Sequence, residues 1–72
     1  MLTINEMVAL MEEARECVKT TKDKNLAFEV SQLNKEIKNL NRARGIMREA
    51  AQISCEYYTH EVKNSLQLLQ KA

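Results

Sequence analysis

From Leu26 onward, apolar residues recur at alternating spacings of four and three: Leu26, Val30, Leu33, Ile37, Leu40 and, after Arg44 in an apolar slot, Met47. A period near 3.5 puts these side chains along one side of an α-helix; a strand, with its period of two, would scatter them over both faces. Seams of this kind are what helices in coiled-coil-like contact share. The pattern runs on through Ala51, Cys55, Tyr58, Val62, Leu66 and Leu69, where two successive steps of four locally unwind the supercoil. Proline is absent and glycine occurs once, at Gly45, so few residues oppose helix anywhere. The chain, residues 1 to 72, therefore reads as a single all-α domain.

A second apolar stretch precedes this one. Ile4, Met7, Met11, Ala14 and Val18 repeat at threes and fours, widened by Val8, Leu10 and Cys17. Its start is marked by Thr3-Ile4-Asn5-Glu6, which fits a capping box, with Leu2 and Met7 placed to form the hydrophobic staple around it. The six residues Thr20 to Asn25 carry no apolar side chain and include Thr, Asp and Asn, which favour turns and caps. These features predict a helix over about 4–22, a turn over about 22–25 capped by Asp23 or Asn25, and a long helix over about 26–70. The expected architecture is an antiparallel helical hairpin with a long, coiled-coil-like C-terminal helix.

Gly45 admits two readings. As a left-handed C-cap it would bend the chain into a three-helix bundle, with Arg42 and Arg44 well placed in the final turn before it. Alternatively the helix continues through it, and because Leu40 and Met47 stand one heptad apart, the unbroken phase favours continuity.

A further stripe, Ala43, Ile46, Ala50, Ile53 and Tyr57, follows the same periodicity on a neighbouring face. The C-terminal half is thus apolar over an arc too wide for one helix–helix contact. A first helix of about 18 residues would cover the second only to about Arg44, leaving residues 46 to 70, roughly 37 Å of helix, without a partner in the chain. We expect Ile46, Met47, Ala50, Ile53, Tyr57, Tyr58, Val62, Leu66 and Leu69 to hold another helix, from a different protein or from copies of this one. The two tyrosines are of the amphipathic type enriched at interface hot spots. An oligomer or hetero-complex follows, since a core this small gains most from association.

Other chemistries find little footing. Eleven Lys and Arg against ten Asp and Glu leave a formal charge of +1, so no global field recruits nucleic acid. The charges are nonetheless segregated: Glu6, Glu12 and Glu13 precede Lys35, Lys38 and Arg42, and folding the hairpin should bring the two sets together. No run of about 18 apolar residues exists to enter a membrane. Cys17 and Cys55 lie on or beside apolar stripes and read as small core residues; free cysteines without a secretory leader lead us to expect the cytoplasm. His60, the single histidine, stands five residues after Cys55, which separates them too far around a helix to ligate one metal. Flanked by Glu56 and Glu61, it reads as a surface ion-pair member. No nucleophile, oxyanion site, metal site or cofactor motif emerges, and we expect a non-enzymatic protein with no cofactor.

A capped short helix, a polar turn and a long apolar helix resemble the small all-helical export chaperones of type III secretion and flagellar systems. The stretch Leu40-Asn41-Arg42-Ala43-Arg44-Gly45-Ile46-Met47 also resembles a Leu-Asn-x-x-Asn-Gly-x-Leu segment of flagellar hook-junction chaperones, departing from it at Arg44. The resemblance implies a hairpin that sequesters an amphipathic helix of a partner. Two other functions compete with a secretion-type chaperone or adaptor: a self-assembling structural coiled-coil oligomer, and a small regulator or inhibitor acting on a nucleic-acid-associated protein through Lys35, Lys38, Arg42 and Arg48.

Overall fold

The computed structural model describes residues 2–71, which form three helices: α1 (Ile4–Thr21), α2 (Lys24–Arg42) and α3 (Ile46–Lys71). Each packs against both others, in a bundle 41 Å long and 17–18 Å across.

The first helix begins where its sequence says it should. Thr3 Oγ1 accepts from the Glu6 amide at 3.1 Å while Glu6 Oε1 accepts from the Thr3 amide at 3.0 Å, so each side chain satisfies the other residue's amide, which has no helical partner. Lys22 ends α1 in the left-handed region, φ 57°, and its amide donates to the Val18 carbonyl at 2.7 Å. Asp23 then caps α2, its carboxylate accepting from the Leu26 amide at 2.8 Å. The polar turn is accordingly only two residues long, Lys22 and Asp23, and α2 starts slightly earlier than its apolar pattern.

The main departure from expectation is at Gly45. The helix does not continue: α2 stops at Arg42, Gly45 sits at φ +61°, and α3 restarts at Ile46. Arg48 secures the break, because its guanidinium donates to the Leu40 carbonyl at 3.0 Å and so occupies one of the carbonyls freed at the end of α2. The physical reason is the inner stripe of α3. A straight helix would leave it bare, whereas a turn at residues 43–45 folds it onto α1 and α2 at the expense of a few helical hydrogen bonds.

The core that results joins all three helices. Met7, Met11 and Ala14 come from α1; Leu26, Val30, Leu33, Ile37 and Leu40 from α2; Ala51, Cys55, Val62 and Leu66 from α3. Leu2, Ile4, Val8, Leu10, Cys17, Val18, Tyr58 and Leu69 pack around it half-buried. Thr59 is the buried polar residue among these, and its hydroxyl donates to the Cys55 carbonyl at 2.6 Å, so it adds no unsatisfied group. Three long-range polar contacts tie α3 to its neighbours: Ser65 donates its hydroxyl to Glu29 at 2.5 Å, Gln52 donates to the Leu2 carbonyl at 3.4 Å, and Gln70 donates to Glu13 at 3.4 Å.

The cross-hairpin ion pairs expected between α1 and α2 do not form. Glu12, Glu13, Lys35, Lys38 and Arg42 all project outward into solvent, and the ion pair found among the described residues is Lys19 with Glu16, 3.1 Å apart within α1. Register is set by the apolar seam, where exposed charges contribute only tenths of a kcal/mol.

Candidate functional site: the outer face of α3

Closure of the bundle divides the nine residues expected to hold a partner. Val62 and Leu66 are buried inside the chain, and Tyr58 and Leu69 are half-buried against the same core, so these four belong to the fold. The long bare helix inferred from unequal lengths is therefore not there: the break at Gly45 lets the chain cover its own first stripe. The other five, Ile46, Met47, Ala50, Ile53 and Tyr57, stay exposed on α3.

These five make a ridge with a definite shape. Ile46, Ala50, Ile53 and Tyr57 follow spacings of four, three and four, which stack them along one side of the helix, and Met47 lies beside them toward α2. Ile46 is 82 % exposed, Ile53 69 %, Met47 68 % and Tyr57 59 %, values that large apolar side chains seldom reach together on one face of a monomer. The Tyr57 ring meets that of Tyr58 edge-on, 5.2 Å between centroids, so the half-buried tyrosine braces the exposed one.

Shallow grooves border the ridge. On the α2 side, Met47 and Ala50 share one with Ala43, Glu36, Asn39 and Arg42. Farther along the same side, Tyr57 and Tyr58 share another with Phe28, Glu29, Glu61 and Ser65. On the opposite side Ile53 stands beside Arg48, Glu49, Gln52 and Glu56. Phe28, 62 % exposed, extends the apolar surface onto α2 and went unnoticed in the sequence. Its signal was present: it falls between Leu26 and Val30, out of phase with the seam, as a large aromatic on an otherwise polar face.

Burial pushes the Cys55 thiol above its ordinary value, and the carboxylates of Glu36, on α2, and Glu56, next to it on α3, push it the same way. A thiol so placed stays protonated at neutral pH and acts as a small apolar side chain. His60 is exposed, while Cys55 points into the core, so the two do not converge on one ion. Nor does His60 pair with Glu56 or Glu61. Lys35, Lys38 and Arg42 form an exposed basic line on the outer side of α2. No helix among the described residues is long and apolar enough to cross a membrane. Comparison with known proteins finds no matching family model, no matching curated protein and no matching solved structure.

Proposed function

We propose that this chain is a non-enzymatic helix-binding protein, a small chaperone or adaptor of the secretion type, which holds an amphipathic helix of a partner against the outer face of α3. The observation that carries this is the contrast within one helix: the inner stripe is closed by α1 and α2, whereas Ile46, Met47, Ile53 and Tyr57 stay exposed, with nothing among the described residues to cover them. An amphipathic helix laid over an apolar ridge is a standard mode of recognition, read as anchors at helical spacing. Because the ridge stands on one helix packed against two others, it is presented already formed, which lowers the entropic cost of binding.

Two variants test it together. Ile53→Asp and Tyr57→Ala alter exposed side chains outside the core, so circular dichroism should match the wild type and melting should fall only slightly, by what the Tyr57–Tyr58 contact contributes. Partner capture from the native host should be retained by the wild type and lost by both variants. Capture that is indifferent to both substitutions contradicts the proposal. A stable oligomer of the purified chain that Ile53→Asp dissolves would replace it with the self-assembling alternative.

A further inference from the structure

The ridge on α3 is bordered by carboxylates on both sides. Glu49 and Glu56 lie beside Ile53 on one flank, and on the other Glu61 and Glu29 stand by Tyr57 and Glu36 by Met47 and Ala50. Arginines stand nearby as well: Arg42 and Arg44 share the groove of Glu36, Met47 and Ala50, and Arg48, whose guanidinium donates to the Leu40 carbonyl, shares that of Ile53 with Glu49 and Glu56. Around Ile53 and Tyr57 the carboxylates prevail: Glu49 and Glu56 against Arg48 on one flank, Glu29 and Glu61 with no basic residue beside them, among those described, on the other.

This charge pattern separates the candidate occupants. In a two-fold dimer the same patch faces itself. A second copy docked antiparallel through α3, with the two-fold axis near Ile53, would set Glu49 of each copy against Glu56 of the other, and like charges brought together at an interface oppose it. A helix whose apolar stripe is edged by Lys or Arg finds each carboxylate answered. We infer, building on the helix-binding reading above, that the occupant of the α3 ridge is an amphipathic helix of another protein with basic residues bordering its apolar stripe.

Two synthetic peptides of equal length and helicity test this, both with Leu at spacings of three and four, one edged by Lys and the other by Glu. Isothermal titration against the full chain at low salt should show the Lys-edged peptide binding about tenfold more tightly, the sum of several exposed pairs. The preference should fall toward parity in 1 M salt, where screening reaches only about 3 Å. Combined Glu49→Gln, Glu56→Gln and Glu61→Gln should abolish the preference, and the corresponding Lys substitutions should invert it. The Gln set keeps the test open if the Lys set fails to fold. Equal binding of both peptides, or tighter binding of the Glu-edged one, overturns the inference while leaving the helix-binding reading intact. Failure of both peptides to bind overturns the two together, and if the chain then proves to be a dimer dissolved by Ile53→Asp, the occupant is a second copy.

Discussion

The inner and outer faces of α3 are built from nearly the same residue types at the same spacing, yet they have opposite fates. Ala51, Cys55, Val62 and Leu66 disappear into the core, while Ile46, Ala50, Ile53 and Tyr57, on the neighbouring stripe, face solvent. Two helices can cover only so much of a third. With α1 and α2 seated on one arc, the remaining arc of a helix that is apolar most of the way round stays uncovered. A wide stripe thus signals more than one neighbour, and the structure supplies two of them from within the chain.

The comparison breaks most easily by truncation. Leu66→Ala on the inner face should destabilise the fold by about 2–4 kcal/mol, the combined cost of lost transfer energy and an unfilled cavity. Ile53→Ala on the outer face should change stability by no more than about 0.5 kcal/mol. Chemical denaturation of the two variants side by side measures both. Comparable losses would mean that the outer face is packed against something after all.

Thiol chemistry sharpens the same contrast without mutation. Cys55 is fully buried and its pKa is raised, whereas Cys17 is half-buried at the rim. At neutral pH an alkylating reagent should modify Cys17 first, with Cys55 slower by at least about a hundredfold because it reacts only after the bundle opens. Mass spectrometry of a time course resolves the two sites, and equal rates would show that α3 is not held against the core.

Gly45→Ala probes the turn that creates the two faces. Nothing lies within 4 Å of the added methyl, so the penalty is purely that of holding alanine at φ +61°, about 1 kcal/mol. A melting temperature lowered by a few degrees is expected; no change would mean the left-handed turn is dispensable.

The smallest effect belongs to the far end of the bundle. The Thr3 backbone amide, which donates to Oε1, and after it the Thr3 hydroxyl hold the Glu6 carboxyl below its ordinary value. A group whose pKa falls on folding stabilises the native state above its unfolded value, near 4.3, and loses that contribution as pH drops through the lower folded value. Wild type and Glu6→Gln should therefore differ slightly in melting temperature at pH 7 and converge below about pH 4. A difference that persists at pH 2 would separate the cap from its charge.

Local signals in the sequence were read correctly where the physics is local. The Thr3–Glu6 box, the polar break near Asp23 and the α2 seam from Leu26 to Leu40 each depend on residues within a turn or two of one another. The break at Gly45 could not be settled that way. Leu40 and Met47 keep the heptad phase across it, so periodicity argued for continuity, while the deciding energy is the burial of Cys55, Val62 and Leu66 against residues as distant as Met7. The same long-range cause removed Val62 and Leu66 from the anticipated partner surface and put Thr59 into the core, where its hydroxyl is satisfied by its own helix. Ile46, Ala50, Ile53 and Tyr57 were legible because a second stripe had been recognised as distinct from the seam.

Small-angle scattering of the purified chain, diluted until light scattering gives the mass of one copy, tests the closed bundle most directly. The account predicts a radius of gyration close to the 12.3 Å of the Cα trace, plus a small hydration increment, and a longest dimension not far above 41 Å. A helix running unbroken from residue 24 to 71 would be about 70 Å long at 1.5 Å per residue. A monomer with that length would contradict the turn at Gly45 and, with it, the division of α3 into a buried face and an open one.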